Sequence, residues 1–174
     1  MKLNKTVLGM SLAFGIVAFA NAADQGHGTV TFSGSIIDAP CSITSDTANQ
    51  EVDLGAVSNV ALKNGGKSVP QSFDIKLEQC DPATLKTVTT TFTGDKSLAN
   101  PDLLGITGTA KGASVAITDM ASNLIKLGTA TIPKDLSDGD TTLRFSAYLQ
   151  GDGASATIIP GNFTAIAEFK LAYQ

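Results

Sequence analysis

Apolar and polar residues alternate with a period of two in a pair of runs near the two ends of the chain. No other feature constrains the fold as much. Across residues 163–174, Phe163, Ala165, Ala167, Phe169, Leu171 and Tyr173 fall on one face, as a half-buried β-strand requires. Gly28, Val30, Phe32, Gly34 and Ile36 do the same near the start. The two runs read as halves of one sheet edge. A small β domain with a detachable apolar strand can join copies of itself by strand addition. The chain therefore reads as a building block before it reads as a catalyst.

Between these runs, short stretches rich in Val, Ile, Thr and Phe alternate with Gly, Asn, Asp and Pro. Predicted strands cover residues 29–37, 52–54, 72–79, 87–93, 114–118, 124–127, 141–150 and 163–173. Asn64-Gly65-Gly66, Asn100-Pro101, Asp138-Gly139 and Asp152-Gly153 supply turn signals between them. Residues 57–62 fit one helical turn, and nothing predicts a long helix. Phe73, Ile75 and Leu77 oppose Asp74, Lys76 and Glu78, and Leu143, Phe145, Ala147 and Leu149 oppose Thr142, Arg144, Ser146 and Tyr148. This is the pattern of a two-layer antiparallel sandwich with a wet outer face. No linker, low-complexity tract or internal repeat divides it, so one domain is expected.

Lys2 and Lys5, the apolar stretch 7–20 and the small-residue site Ala20-Asn21-Ala22 together form a secretory signal peptide, residues 1–22. The stretch is shorter than the roughly 20 residues a membrane span needs, so no membrane insertion of the mature chain is expected. Two of the twelve basic residues leave with the signal and all sixteen acids stay, giving a mature charge of −6. Clustered Lys/Arg is absent, which argues against nucleic acid as a partner. Cys41 and Cys80 are the only cysteines. In an exported chain an even pair most simply forms one disulfide, and closing a loop of this length contributes roughly 4 kcal/mol in the chain-entropy model. A zinc site needs two further ligands, and His27 is the only histidine.

That histidine sits in a polar leader, residues 23–27, with no core-forming residue, so a His-centred triad would rest on the least ordered part of the chain. Asp74, Glu78, Asp119 and Glu168 alternate with apolar residues and are expected to face solvent. No phosphate-cradling glycine loop and no cofactor motif occurs. Asn162-Phe163-Thr164 fits a glycosylation sequon and reads as coincidence. Tryptophan is absent and Tyr148 and Tyr173 are the only tyrosines, which disfavours a dedicated sugar-stacking site. An enzyme is not expected.

The run Gly28-Thr29-Val30-Thr31-Phe32-Ser33-Gly34-Ser35-Ile36-Ile37 has one greasy face, with Gly34 as a shallow spot in its middle. It is followed by Asp38-Ala39-Pro40-Cys41-Ser42-Ile43. The second cysteine closes an alternating strand, Phe73 to Cys80. The chain ends Pro160-Gly161-Asn162-Phe163-Thr164-Ala165, then Phe169-x-Leu171-x-Tyr173-Gln174. In combination these motifs resemble the subunits of chaperone–usher pili, with major pilins of P, type 1 and mannose-resistant Proteus-like fimbriae as the nearest likeness. The resemblance covers the whole mature chain.

That resemblance implies an incomplete immunoglobulin-like sandwich lacking its last strand and completed by donor-strand exchange. It implies a donor extension at residues 23–37, in which Val30, Phe32 and Ile36 fill pockets of a neighbour and Gly28 and Gly34 meet its shallow sites. It implies a pilin domain at 38–174. There Gly161, Phe163, Ala165, Ala167, Phe169, Leu171 and Tyr173 form one wall of the acceptor groove, and the carboxylate of Gln174 anchors a periplasmic chaperone. In the family the donor lies parallel to the first strand. A parallel neighbour in the same chain needs a crossover of about a dozen residues, and Asp38-Ala39-Pro40 is too short, so insertion in trans is expected. The expected partners are the chaperone, an outer-membrane usher and identical subunits in a surface fibre. A minor tip or adaptor pilin, or a self-complete secreted carbohydrate-binding sandwich, is the alternative.

Overall fold

The computed structural model describes residues 26–174; the expected signal peptide lies outside them. Residues 37–174 form one compact unit, and residues 26–36 fall outside it. Its regular structure is almost wholly β-strand. The strands are β1 (Ser42–Ile43), β2 (Gln71–Cys80), β3 (Thr87–Gly94), β4 (Leu104–Gly105), β5 (Thr107–Gly108), β6 (Ala113–Asp119), β7 (Lys134–Asp135), β8 (Gly139–Gly151), β9 (Phe163–Thr164) and β10 (Ala167–Tyr173). Among the described residues helix is confined to one turn, α1 (Ser45–Ala48), and a 3-10 turn at Lys63–Gly65.

One sheet runs β1-β2-β8-β6-β4 and the other β10-β3-β7, with β5 and β9 paired as a separate ribbon; every pairing is antiparallel. Ile75, Leu77, Leu143, Phe145, Val88 and Phe92 point between the layers and are buried, as their alternation predicts. Phe73, Phe92 and Phe145 meet at the centre, with ring centroids 5.0 to 6.1 Å apart. Edge-to-face aromatic packing of this kind holds the two layers in register. The Cys41–Cys80 disulfide is formed. Among the described residues no helix is long and apolar enough to cross a membrane.

Several local expectations are corrected. Residues 29–37 and 52–54 take no strand pairing, and the expected strand 124–127 is reduced to a single bridge between Leu124 and Thr118. Alternation alone does not make a strand; a partner edge must lie within reach. The C-terminal run is two strands, broken at Ala165-Ile166 where the chain leaves β5 and joins β3. Residues 58–63 form successive turns with i→i+3 bonds, close to the expected helical turn.

The outer face of the first sheet is not uniformly wet. Ala116 and Tyr148 are buried there against Leu103, and Ser114 is bonded to Ser97 at 2.7 Å. The loop carrying Ser97 and Leu103 covers that face.

Candidate functional site

β10 pairs with β3 along one edge and has no partner on the other among the described residues. Gln174 exchanges two backbone bonds with Thr87, each 2.9 Å. In an antiparallel ladder such pairs alternate with non-bonded ones. Ala172, Lys170 and Glu168 therefore direct their N–H and C=O groups to β3. The same groups of Ala167, Phe169, Leu171 and Tyr173 face the open edge. The residues whose side chains turn inward thus also present the unpaired backbone. Water must satisfy those groups, because leaving them buried and unpaired costs free energy.

Beside this edge a groove of about 1810 Å³ opens into the core. Gly161, Phe163, Ala165, Ala167 and Phe169 are among the residues that line it. Leu171 and Tyr173 lie beyond its lining, half-buried and packed on the core. Burial pushes the Tyr173 phenol above its ordinary pKa. The backbone oxygen of Gln174 accepts from the N–H of Lys86 at 2.7 Å and of Thr87 at 2.9 Å, which ties the chain end to the head of β3.

The opposite wall was not legible in the sequence. Leu54 and Val57 supply it from an extended segment with no strand partner, and Leu104 and Ile106 contribute to the floor. The only signal was the spacing of Val52, Leu54 and Val57, each half-buried. Phe73 and Phe92, part of the central aromatic trio, also line the groove. The core itself is therefore open to solvent on this side.

Gly161 is required by a close approach of backbones. Asn162 accepts from the N–H of Thr109 at 3.0 Å and of Ala110 at 3.1 Å. A Cβ added at Gly161 would lie 2.6 Å from the Ala110 nitrogen and press on Thr109 Oγ1. The variant Gly161→Val is expected to lower stability by about 1–3 kcal/mol, read as a lower denaturant midpoint with unchanged slope. A wild-type midpoint would show that this corner yields freely.

The donor candidates lie in the extended, strand-free residues 26–36. Val30 is 73%, Phe32 90% and Ile36 103% exposed, so three large apolar side chains are presented to water. Nothing lies within 4 Å of where a Cβ at Gly28 or Gly34 would stand. Among the described residues the scattered acids gather into no metal-binding cluster. Asp119 caps its own turn, accepting from the N–H groups of Ala121 and Asn123 and from Asn123 Nδ2, each at 2.9 Å. The Asn123 side chain is the main cause holding its carboxyl below the usual value. Among the described residues no cluster of His, Cys, Asp and Glu is placed to hold a metal.

An antiparallel sandwich open along its last strand is the architecture of the chaperone–usher pilins. The chain belongs to the fimbrial protein family, whose profile matches residues 30–174. It is 74% identical over its full length, and the relative's full length, to the "Fimbria A protein" of Serratia marcescens. It is 56% identical to the "Major MR/P fimbria protein" of Proteus mirabilis (strain HI4320), again with all of both chains covered. A solved chaperone–usher pilus superposes with a TM-score of 0.76 at 33% identity, covering 86% of this chain and 97% of that one.

Proposed function

We propose that this chain is the major structural subunit of an extracellular fimbria, and that copies join when residues 28–36 of one enter the groove of the next. The observation that carries the reading is the unpaired edge of β10 over an open core, in a chain whose exposed extension alternates in the period that edge needs. Residues 1–22 direct export, 23–37 form the donor and 38–174 the pilin domain. Val30, Phe32 and Ile36 enter apolar pockets beside Phe163, Ala165, Ala167 and Phe169, and the donor backbone pairs with Ala167, Phe169, Leu171 and Tyr173. A periplasmic chaperone lends a strand to the same edge before assembly, meeting the carboxylate of Gln174, and an outer-membrane usher receives the complex. The fibre supports adhesion at the bacterial surface.

Shearing fibres from cells and separating them on a gel tests the role. This chain is expected as the main band, dissociating only on strong heating; a trace band would make it a tip or adaptor subunit. The variant Gly34→Asn tests the joint. Open space around Gly34 means the substitution leaves the monomer's melting curve unchanged. In the groove, the new side chain meets a shallow site, so fibre formation is expected to fall below detection by electron microscopy. Fibres of normal length from this variant would rule out Gly34 as the shallow contact.

A further inference from the structure

Charge is divided unevenly between the two ends of the sandwich. β8 spans them, its 13 residues extending about 40 Å at about 3.3 Å per residue. At its start Gly139 pairs with Cys80, the Asp81 N–H donates to the Pro40 carbonyl at 2.9 Å, and Asp138 and Asp140 flank the turn. Asp38, Asp81, Asp138 and Asp140 are exposed here, with Lys86 and Lys134 as the nearby cations. At its far end Gly151 accommodates the turn carrying Lys63, Lys67 bridges to Gln150, and Lys111 bridges to Ile159. All three lysines are exposed, and none belongs to either ion pair found among the described residues, Lys76–Asp46 and Lys126–Asp102. The acids at this end are Asp152, half-buried and accepting from the Ser114 hydroxyl, and exposed Asp95, whose backbone oxygen accepts from the N–H of Gly105 beside a further lysine, Lys96.

The groove runs between these ends. β9, at its entrance, pairs with β5 beside Lys111, while Gln174 closes β10 against Lys86 and Thr87 near the acidic end. A donor extension leaves its own domain at Ile37-Asp38, which is the acidic end. Four residue steps from Ile36 to Pro40 reach at most about 14 Å, the same order as the screening length of about 8 Å in physiological salt. The donor copy's acidic end must therefore lie against whichever end of the groove receives Ile36. A donor antiparallel to β10 sets it on the lysines; a parallel donor would set acid against acid.

We infer that consecutive copies meet through complementary charged ends: Asp81, Asp138 and Asp140 of the donor copy face Lys63, Lys67 and Lys111 of the acceptor copy. This inference rests on the donor-strand reading. The charged ends steer whole subunits into the antiparallel orientation, and the apolar strand then locks them. Opposed charges of this kind act mainly on the rate of encounter and on orientation.

The test uses the mature chain carrying Lys63→Glu, Lys67→Glu and Lys111→Glu, alone and combined with Asp81→Lys, Asp138→Lys and Asp140→Lys, which restores complementarity with inverted sign. Fibre joining is expected to slow about tenfold or more in the first variant and to recover most of that loss in the second. Added salt should slow the wild type. A synthetic peptide of residues 28–36, which carries no charged side chain, separates the two readings. It is expected to enter the groove of every variant, with Lys111 at the groove lining changing its rate far less than the loss in subunit joining, which also shows that each variant is folded. If it enters all of them while subunit joining ignores both the reversal and the salt, the charged-end inference is overturned and donor insertion stands. If it enters none, the wild type included, both fall.

Discussion

A chain lacking residues 23–36 is expected to fold with the wild-type melting temperature and to form no fibre. Val30, Phe32 and Ile36 are exposed and contribute little to the stability of their own domain. On the proposed insertion into a neighbour's groove, each would contribute roughly 1.5–3 kcal/mol by leaving water. The backbone bonds made to Ala167, Phe169, Leu171 and Tyr173 add roughly 0.5–1.5 kcal/mol apiece. Ordering the extension offsets part of this at about 1–2 kcal/mol per residue. The remainder is still large on a scale where 1.4 kcal/mol is tenfold in affinity. Deletion removes all of it at once, so fibre yield should drop below detection rather than decline by degrees.

The truncated chain keeps its own groove, which gives a second readout. Saturating it with the 28–36 peptide should raise its melting temperature, because a ligand that binds only the folded state stabilises it by mass action. Fibres assembled from the truncated chain would assign the joint to another surface. A peptide that leaves melting unchanged would show that the groove does not accept this strand.

The strands with internal partners were the most legible part of the sequence. β2, β3, β6 and β8 lie within two residues of their expected bounds, because each alternates against a neighbour in the same chain. Residues 29–37 alternate as cleanly and take no strand. Periodicity reports which face a segment would bury, whereas pairing depends on an edge that this chain does not offer it nearby. The groove wall at Leu54 and Val57 failed for the converse reason. Those residues pack against the core without a ladder, and an unladdered segment leaves no strict period. Tyr148 was misplaced onto a wet face because the loop that covers it, through Leu103 and Ser97, is nonlocal. The cysteine pair was readable from counting and compartment alone. The order of charge along the sandwich was not, since residues as distant as Asp38 and Asp140 come together only through the fold.

Replacing both Cys41 and Cys80 with serine is expected to cost roughly 4 kcal/mol in the chain-entropy model. The two residues are 39 apart in sequence, and both are buried. Buried hydroxyls without partners add about 1–3 kcal/mol where they form. Against a total of about 5–15 kcal/mol for a domain this is a large share. It weighs more here because the open groove leaves Phe73 only half-buried, so the isolated chain buries less than a closed sandwich would. At about 2–4 °C per kcal/mol for a domain of this size, melting should fall by about 10–30 °C, and the yield of folded subunit should fall with it. Reductant added to the wild type should reproduce the shift without any substitution. Filling the groove with the 28–36 peptide should return part of the loss, since donor binding and the bridge stabilise the same folded state by independent routes. Unchanged melting in the double variant would show that the bridge is dispensable. A loss that the peptide leaves untouched would show that the bridge shapes the groove itself, through β1, which directly follows Cys41 and whose Ile43 lines the groove.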